Sequence, residues 1–343
     1  MLGIFNIPNK FLLNSMDNYT GKNIKKQEEK TVLEKCKDKK LKNPKFSNYI
    51  ESLTTKKNIE RIRDCGSFLT LLGDFEMENK KLHKASFCGN RFCPMCSWRM
   101  SCKDSLEITI LMEHLRKEKN KEFIFLTLTV PNVQGDKLNE EIRKYNKAFK
   151  KLIERKEIKN IIKGYIRKLE VTYNSDKSSE FYNTYHPHFH VVIAVNKSYF
   201  TDTKQYINRD RWLELWQEVT GDYSITQVYV RKAKSSDRGE IFELAKYSAK
   251  DTDYLISRQV FEIFYKALKG KQILVFSGLF KDAHKIYKLG KLDMYKKQNE
   301  IEYVYKLYYN WHKNKYENTS IIELTEEEKK AINKKLIDTI EID

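Results

Sequence analysis

Four short stretches in the middle of the chain alternate apolar and polar residues with the period of two that is typical of β-strands. They are residues 123–130 (FIFLTLTV), 164–174 (GYIRKLEVTYN), 188–195 (HFHVVIAV) and 224–233 (SITQVYVRKA). Two stretches with apolar residues at helical spacing, 138–152 and 212–219, lie between them. Further helices are predicted before the first strand, at 97–119, and after the fourth, at 238–255.

The minimal unit made by these elements has the order β-α-β-β-α-β, the split βαβ arrangement of ferredoxin-like and RRM-like folds. We therefore predict an α+β protein with an antiparallel sheet. In this arrangement the third strand lies between the first and the second. The two helices cover one face of the sheet, and the other face is left for function.

Strand parity places two histidines on that second face. Because successive side chains of a strand point to opposite faces, His188 and His190 lie opposite the apolar residues of their strand. Glu170 has the corresponding position on the neighbouring strand. Two imidazoles beside a carboxylate suit Mg²⁺ or Mn²⁺, so we predict a metal site at these three residues. His186 is a fourth ligand, a substrate contact or only a strand-entry residue, because Pro187 interrupts the ladder there.

The helix predicted at 238–255 carries a second candidate group. Glu243, Tyr247, Lys250 and Tyr254 follow at spacings of four, three and four, which place them on one helical stripe. A tyrosine can attack a phosphodiester, a lysine one turn on could stabilise the phenolate or bind phosphate, and a glutamate one turn back could deprotonate a water. Such spacing is also ordinary helix-surface chemistry in a chain with 21 tyrosines.

The cysteines form a third group, since four of the six fall between residues 88 and 102. Cys88, Cys93 and Cys96 include a C-x-x-C pair of the kind typical of structural zinc sites. We predict Cys65 as the fourth ligand. Cys102 or His83 could replace it, and Cys36 is expected to be a bystander.

Charge narrows the range of partners. The formal net charge is +18, which favours a polyanion such as nucleic acid, although a solvated lysine-rich surface gives the same number. No apolar run is long enough to cross a membrane and no export signal precedes the first apolar residues, so a cytoplasmic protein is expected. The basic residues predicted to contact DNA are Arg91, Arg99, Lys147, Lys150, Arg231 and Lys232.

Composition also suggests a division of the chain into four parts. We expect a basic, partly flexible N-terminal arm at 1–60, a zinc-binding module at 61–105, the domain with the histidine strand at 106–270, and a C-terminal helical extension at 271–343.

Several motifs, in this order, resemble those of the plasmid rolling-circle replication initiators, a branch of the HUH endonucleases. HUH denotes two histidines around one hydrophobic residue. The motifs are DCGSFL, FCGNRFCPMCSWR, FLTLTVPN, RKLEVTYN, YHPHFHVVIA and ELAKYSAKDTDY. The resemblance runs from about 61 to about 290. It implies that His188 and His190 bind the catalytic metal, that Tyr247 is the nicking nucleophile, and that Glu243 activates water in the terminating cleavage. Glu170 as third ligand comes from the sheet geometry.

The resemblance also implies a mechanism and partners. Tyr247 would nick origin DNA presented as a hairpin or single strand, form a 5′-phosphotyrosyl link and release a 3′-OH for the host polymerase. A host helicase would be a further partner. The resemblance leaves open whether the protein is a homodimer. A two-tyrosine scheme would use Tyr254. The alternatives are an HUH transposase or mobilisation relaxase, and a non-catalytic zinc-containing DNA-binding repressor.

Overall fold

The computed structural model describes residues 30–233, 249–296 and 301–333, which form helices and two antiparallel sheets. The α+β class predicted from the sequence is confirmed. The strands are β1 (Phe68–Asp74), β2 (Lys80–Ala85), β3 (Lys121–Leu128), β4 (Gly164–Tyr173), β5 (Tyr185–Asn196), β6 (Val228–Ala233), β7 (Leu274–Gly278), β8 (Tyr303–His312) and β9 (Lys315–Glu323). The α-helices are α1 (Val32–Leu41), α2 (Asn43–Ile50), α3 (Lys56–Asp64), α4 (Pro94–Lys119), α5 (Leu138–Glu154), α6 (Lys156–Ile161), α7 (Arg209–Thr220), α8 (Asp251–Tyr254), α9 (Arg258–Leu268), α10 (Leu279–Lys288) and α11 (Glu326–Asn333).

The larger sheet has five strands in the order β6-β3-β5-β4-β7. Its first four strands are the four predicted from the sequence, and the third of them, β5, lies between the first and the second as expected. β7 is an addition that pairs with the outer edge of β4. The βαββαβ order is therefore confirmed.

Helices α5 and α7 cover one face of this sheet, as predicted. Phe149 of α5 packs edge-on against Phe189 of β5 with their ring centroids 5.7 Å apart. Helix α7 begins after Asn208, whose side chain accepts a hydrogen bond from the backbone N–H of Arg211, and it ends at Gly221, where φ is 70°. These signals fix the length of the helix, so that its buried tryptophans face the strands.

The opposite face was expected to be open, and over half of its length this is wrong. The apolar rows of that face, which include Phe123 and Ile166, are buried under α4 and α10. Phe123 and Phe280 of α10 have ring centroids 5.7 Å apart. The rows beyond them are polar and include Glu170 and His190. The two extra helices therefore limit the polar part of the face to one end, where Glu170 and His190 are themselves buried.

The smaller sheet joins distant parts of the chain. Its order is β2-β1-β8-β9, and Leu71 of β1 pairs with Leu307 of β8. The tyrosine hydroxyl of Tyr316 on β9 donates a 2.7 Å hydrogen bond to the carbonyl oxygen of Gly66. The purely helical extension predicted at 271–343 is thus wrong, because the strands β7, β8 and β9 lie there beside the helices α10 and α11.

The described part of the predicted N-terminal arm, from residue 30, consists of packed helices. The side chains of Phe46 and Ile50 are fully buried, and the ring of Phe46 meets that of Phe261 on α9 at 5.9 Å. Partial flexibility is therefore the wrong expectation for 30–60, where the chain forms the packed helices α1, α2 and α3.

The helix predicted at 238–255 does not run through its last turns. Lys250 has an extended backbone, with φ −70° and ψ 141°, and the short helix α8 begins after it. The prediction that Lys250 and Tyr254 continue one helical stripe from residues 243 and 247 is therefore wrong. Within the described ranges, no helix combines the length and the apolar character needed to cross a bilayer.

Candidate metal centres

Three side chains predicted to bind a metal converge at the polar end of the sheet. Glu170 on β4 stands directly opposite His188 on β5, which sets the two side chains on the same face. The Nε2 atoms of His188 and His190 lie 3.2 Å and 2.9 Å from the same oxygen, Oε2 of Glu170. The period of two in β5 and the register of β4 with β5 are sufficient to produce this convergence.

The hydrogen bonds on the far side of the rings show how the donor set fits a cation. Nδ1 of His188 lies 3.3 Å from the carbonyl oxygen of His186. A carbonyl oxygen only accepts, so a hydrogen bond there requires a proton on Nδ1, and in that neutral tautomer Nε2 presents its lone pair to the Glu170 carboxylate. Two acceptors, Nε2 of His188 and Oε2 of Glu170, then face each other. Either a second proton on the ring or a cation between the two atoms makes this contact favourable. Nδ1 of His190 is in turn held 3.3 Å from the hydroxyl of Thr127, and outer contacts of this kind orient metal-binding histidines.

The charged groups of this site are buried, and burial shifts their pKa values. Glu170 is only 3% exposed, which alone would raise its pKa, but the charges and hydrogen bonds of His188 and His190 hold that pKa well below its ordinary value. Lys168 of β4 pairs with His190, and its Nζ atom lies 3.6 Å from Oδ2 of Asp104 on α4. Burial lowers the pKa of Lys168 and raises the pKa of Asp104. Sequence reasoning missed this second pair, because only the packing of α4 on the sheet brings Asp104 there.

His186 lies beside the site without joining it. Its ring centroid is 5.5 Å from that of His188, and the ligand atoms that lie within 4.8 Å of one another are those of Glu170, His188 and His190. Burial lowers the pKa of His186 to about 4, so its ring is neutral at neutral pH. Of the three roles left open for His186, the fourth-ligand role is not supported by this geometry, while its carbonyl orients His188.

The four predicted cysteines form a second cluster. The Sγ atom of Cys65 lies 3.5 Å from those of Cys93 and Cys96, and Cys88 Sγ lies 3.6 Å from Cys96 Sγ. Four sulfurs bound to a tetrahedral zinc ion at about 2.3 Å are about 3.8 Å apart, so the spacing fits the ion and not a disulfide. The other candidates considered from sequence, Cys36, Cys102 and His83, are outside this group.

The backbone around these sulfurs places positive ends of N–H dipoles near them. Cys93 caps the N-terminus of α4, and Cys96 lies in its first turn. The backbone N–H of Gly89 points at Cys96 Sγ at 3.3 Å, and that of Cys88 points at Cys65 Sγ at 3.5 Å. Hydrogen bonds among the four cysteines lower the pKa of Cys88 and Cys96 and raise the pKa of Cys65 and Cys93. Lys40 of α1 lies beside the cluster, and its Nζ atom donates a 2.8 Å hydrogen bond to the carbonyl oxygen of Cys65.

The residues predicted to carry out nucleophilic attack are only partly described. Glu243 and Tyr247 lie outside the described residues. Lys250 is an exposed residue that precedes α8. Tyr254 is 1% exposed and its hydroxyl donates a 2.9 Å hydrogen bond to the carbonyl oxygen of Phe92. A nucleophile must reach its phosphate, so this buried position does not favour the two-tyrosine alternative through Tyr254.

Sequence reasoning also missed Asp253. Its Oδ2 atom accepts a 3.3 Å hydrogen bond from the backbone N–H of Tyr173, the last residue of β4, three positions beyond Glu170. Burial raises the pKa of Asp253. The Asp-Thr-Asp run after Lys250 was a visible signal of a helix start, although it did not show that β4 would be the partner.

The predicted DNA-contacting residues fall into three places. Arg91 is half-buried and its Nη1 atom donates to the carbonyl oxygen of Lys271 at 2.8 Å, and the guanidinium of Arg99 lies 4.1 Å from the ring centroid of Phe87. Exposed Lys147 and Lys150 lie on α5, across the sheet from the histidines. The last pair, Arg231 and Lys232, lies on β6 at the sheet edge, and Arg231 shares the histidine face. The structure does not bring these six residues together.

Comparisons with known proteins agree with one another. The family model described as Replication protein (Rep_1) matches residues 79–319. A Staphylococcus aureus protein called Protein rep is 48% identical over 226 residues, which are 66% of this chain and 96% of that protein. Proteins of the same name from Lentilactobacillus hilgardii and Streptococcus pneumoniae are 34% and 36% identical, over 75% and 68% of this chain and 83% and 73% of their own lengths. No solved structure matches the chain significantly.

Proposed function

We propose, since this chain belongs to the replication protein family, that it initiates rolling-circle replication of a plasmid by nicking one strand of the origin. The resemblance to replication initiators stated from the sequence is confirmed at the level of the family. The finer assignment to the HUH fold is supported by the β6-β3-β5-β4 strand order and by the paired histidines on β5.

The single observation that carries the proposal is the meeting of two imidazoles on one carboxylate oxygen. His188, His190 and Glu170 would hold Mg²⁺ or Mn²⁺, because their donor atoms converge and the outer nitrogen of His188 is already committed as a donor. The ion, when bound, would polarise the scissile phosphate. Three protein ligands leave room on such an ion for phosphate oxygens and water.

The covalent step is assigned to Tyr247. Its phenolic oxygen gives up its proton to solvent and attacks the phosphorus, the bond from phosphorus to the 3′ oxygen breaks, and that oxygen takes up a proton from solvent to become a free 3′-OH. The 5′ end stays linked to the tyrosine, which conserves the energy of the phosphodiester. Glu243 is the base that removes a proton from the water that ends the cycle. Lys250 neutralises charge on the phenolate or the phosphate.

The cysteine cluster is assigned a structural role. Four sulfurs at zinc spacing, close to the start of the long helix α4, would hold zinc that stabilises the fold. Phe92, next to Cys93, binds the hydroxyl of Tyr254, so the cluster also supports the segment that follows the proposed nucleophile.

Origin DNA is the proposed partner. A formal charge of +18 favours phosphate contacts, which makes binding fall with rising salt. The free 3′-OH would be extended by a host polymerase, with a host helicase separating the strands.

A nicking assay tests the proposal. The protein is incubated with Mn²⁺ and single-stranded oligonucleotides that tile the replicon carrying its gene, and covalent complexes are resolved on a denaturing gel. Tyr247→Phe should form none, and Tyr223→Phe, at a 72% exposed position, should behave as wild type. Glu243→Ala should form the complex and fail to release it by hydrolysis. An adduct that persists in Tyr247→Phe would overturn the choice of nucleophile.

A further inference from the structure

Tyr229 is an exposed aromatic residue on β6, the edge strand of the larger sheet. Its side chain is 40% exposed, whereas Phe125, on the neighbouring strand and the same face, is 3% exposed. Their ring centroids are 6.4 Å apart and nearly perpendicular. One flank of the Tyr229 ring is therefore fixed by the protein, and part of the ring remains accessible to a ligand.

The register of the sheet places this ring in line with the proposed metal site. Tyr229 pairs with Thr127, and Thr127 pairs with His190. Directly opposite residues share a face, so the three side chains form one row across β6, β3 and β5. Neighbouring strands are about 4.8 Å apart, which sets Tyr229 about 10 Å from His190 along the row.

Positive charge lies beside the ring. The guanidinium carbon of Arg231 is 5.6 Å from the ring centroid of Tyr229 and 5.8 Å from that of Phe125. Arg231 is on the same face as both rings, because it pairs with Phe125. A cation at this distance supports a ring by cation–π attraction and also attracts a phosphate.

We propose that Tyr229 is a stacking platform for a nucleobase of the nicked strand, close to the scissile phosphate, with Arg231 drawing in the adjoining backbone. The inference deepens the proposed function and rests on it for the identity of the strand. A single exposed ring beside a guanidinium suits a base attached to a phosphate, whereas a protein partner would need a wider apolar patch. Because every base has a π-face, the platform tolerates sequence and sets the position of the strand.

Photo-crosslinking and binding measurements test this platform. The probe is single-stranded oligothymidylate in which thymine is replaced by 5-bromouracil, irradiated with the zinc-loaded protein in buffer without Mg²⁺, Mn²⁺ or chelator. Mass spectrometry should find the adduct on the peptide that contains Tyr229. The dissociation constant for unsubstituted oligothymidylate should rise about fivefold or more in Tyr229→Leu and stay near wild type in Tyr229→Phe.

Tyr223→Leu is the matched control, since that tyrosine is 72% exposed and lies in the turn between α7 and β6. Its affinity should equal that of wild type. Equal affinities of Tyr229→Leu and wild type, in proteins with the same circular dichroism and melting temperature, would overturn the inference. So would an adduct found only on other peptides.

The outcome is separable from that of the proposed function. Binding and crosslinking are measured without a catalytic ion, so they do not depend on nicking. If wild type never forms a tyrosyl adduct, the proposed function fails while the binding comparison still stands. If wild type nicks and Tyr229→Leu nicks with an unchanged KM for the oligonucleotide, only the platform fails.

Discussion

The hydroxyl of Tyr254 donates a buried 2.9 Å hydrogen bond to the carbonyl oxygen of Phe92, one residue before Cys93. These two residues are 162 positions apart in the chain. Their contact connects the cysteine cluster with the segment just beyond the proposed nucleophile, and each part therefore limits the movement of the other.

Tyr254→Phe should lower the free energy of unfolding by about 1–3 kcal/mol, because the buried carbonyl of Phe92 loses its donor. Chemical denaturation measures this. Tyr265→Phe is a suitable comparison, since the hydroxyl of Tyr265 donates a longer, 3.3 Å bond to the carbonyl oxygen of Leu53 and its loss should cost less. Tyr254→Phe should still form the covalent DNA complex and release it by hydrolysis, and a folded variant that forms the complex but cannot end the cycle would support the two-tyrosine scheme.

Glu170→Gln should reduce adduct formation about a hundredfold or more, because it removes the negative charge that both imidazoles face. A Mn²⁺ titration of the nicking rate, together with the electron paramagnetic resonance signal of bound Mn²⁺, separates lost metal affinity from lost chemistry. Glu180→Gln makes the same chemical change at an exposed position between β4 and β5 and should have no effect. Full Mn²⁺ affinity in Glu170→Gln would exclude it as a ligand.

Purified protein should contain one zinc ion per chain by elemental analysis, and Cys96→Ser should lose it. The loss should lower the melting temperature, because metal binding contributes to folding. Cys102→Ser changes a buried cysteine of the same helix outside the cluster and should keep the zinc. Stoichiometric zinc in a folded Cys96→Ser protein would contradict the assignment.

Asp253→Asn should stabilise the protein near neutral pH. Burial raises the pKa of Asp253 above its ordinary value of 3.8, so the folded state binds this proton more tightly than the unfolded state. Wild type therefore loses stability through this group as the pH rises from 3.8 through the raised pKa. Asparagine has no such titration and keeps an oxygen to accept from Tyr173, so the gain over wild type should shrink as the pH falls toward about 4.

Denaturation of both proteins across this pH range measures the difference. Asp251→Asn, two residues earlier, should instead destabilise the protein, because the Asp251 carboxylate is ion-paired with Lys42 at 2.9 Å and Lys39 at 3.5 Å. A constant difference between Asp253→Asn and wild type at all pH values would show that the titration of Asp253 does not contribute.

The sequence was sufficient wherever a short-range period or spacing decided the structure. Alternation along β5 placed His188 and His190 on one face, and the βαββαβ order put Glu170 beside them. Local spacing likewise identified Cys88, Cys93 and Cys96. In these cases strand geometry and chain connectivity leave few alternatives.

The misses came from contacts between distant segments. The pattern of α4 showed an amphipathic helix but not that Asp104 would meet Lys168 on the sheet. The aromatic-rich stretch of β8 pairs on one edge with β9 and on the other with β1, more than two hundred positions earlier. The extended backbone at Lys250 precedes a segment in which Asp253 contacts β4, and local helical spacing was no guide to either.

The pairing of β1 with β8 also has a consequence for synthesis of the protein on the ribosome. Residues 68–74 leave the exit tunnel long before their partner at 303–312 has been translated. Until then the nascent β1 has only β2 beside it, and its other edge stays unsatisfied. A message truncated before codon 303 would therefore yield a polypeptide without β8 and β9, and a chaperone that shields β1 during elongation would raise the yield of folded protein.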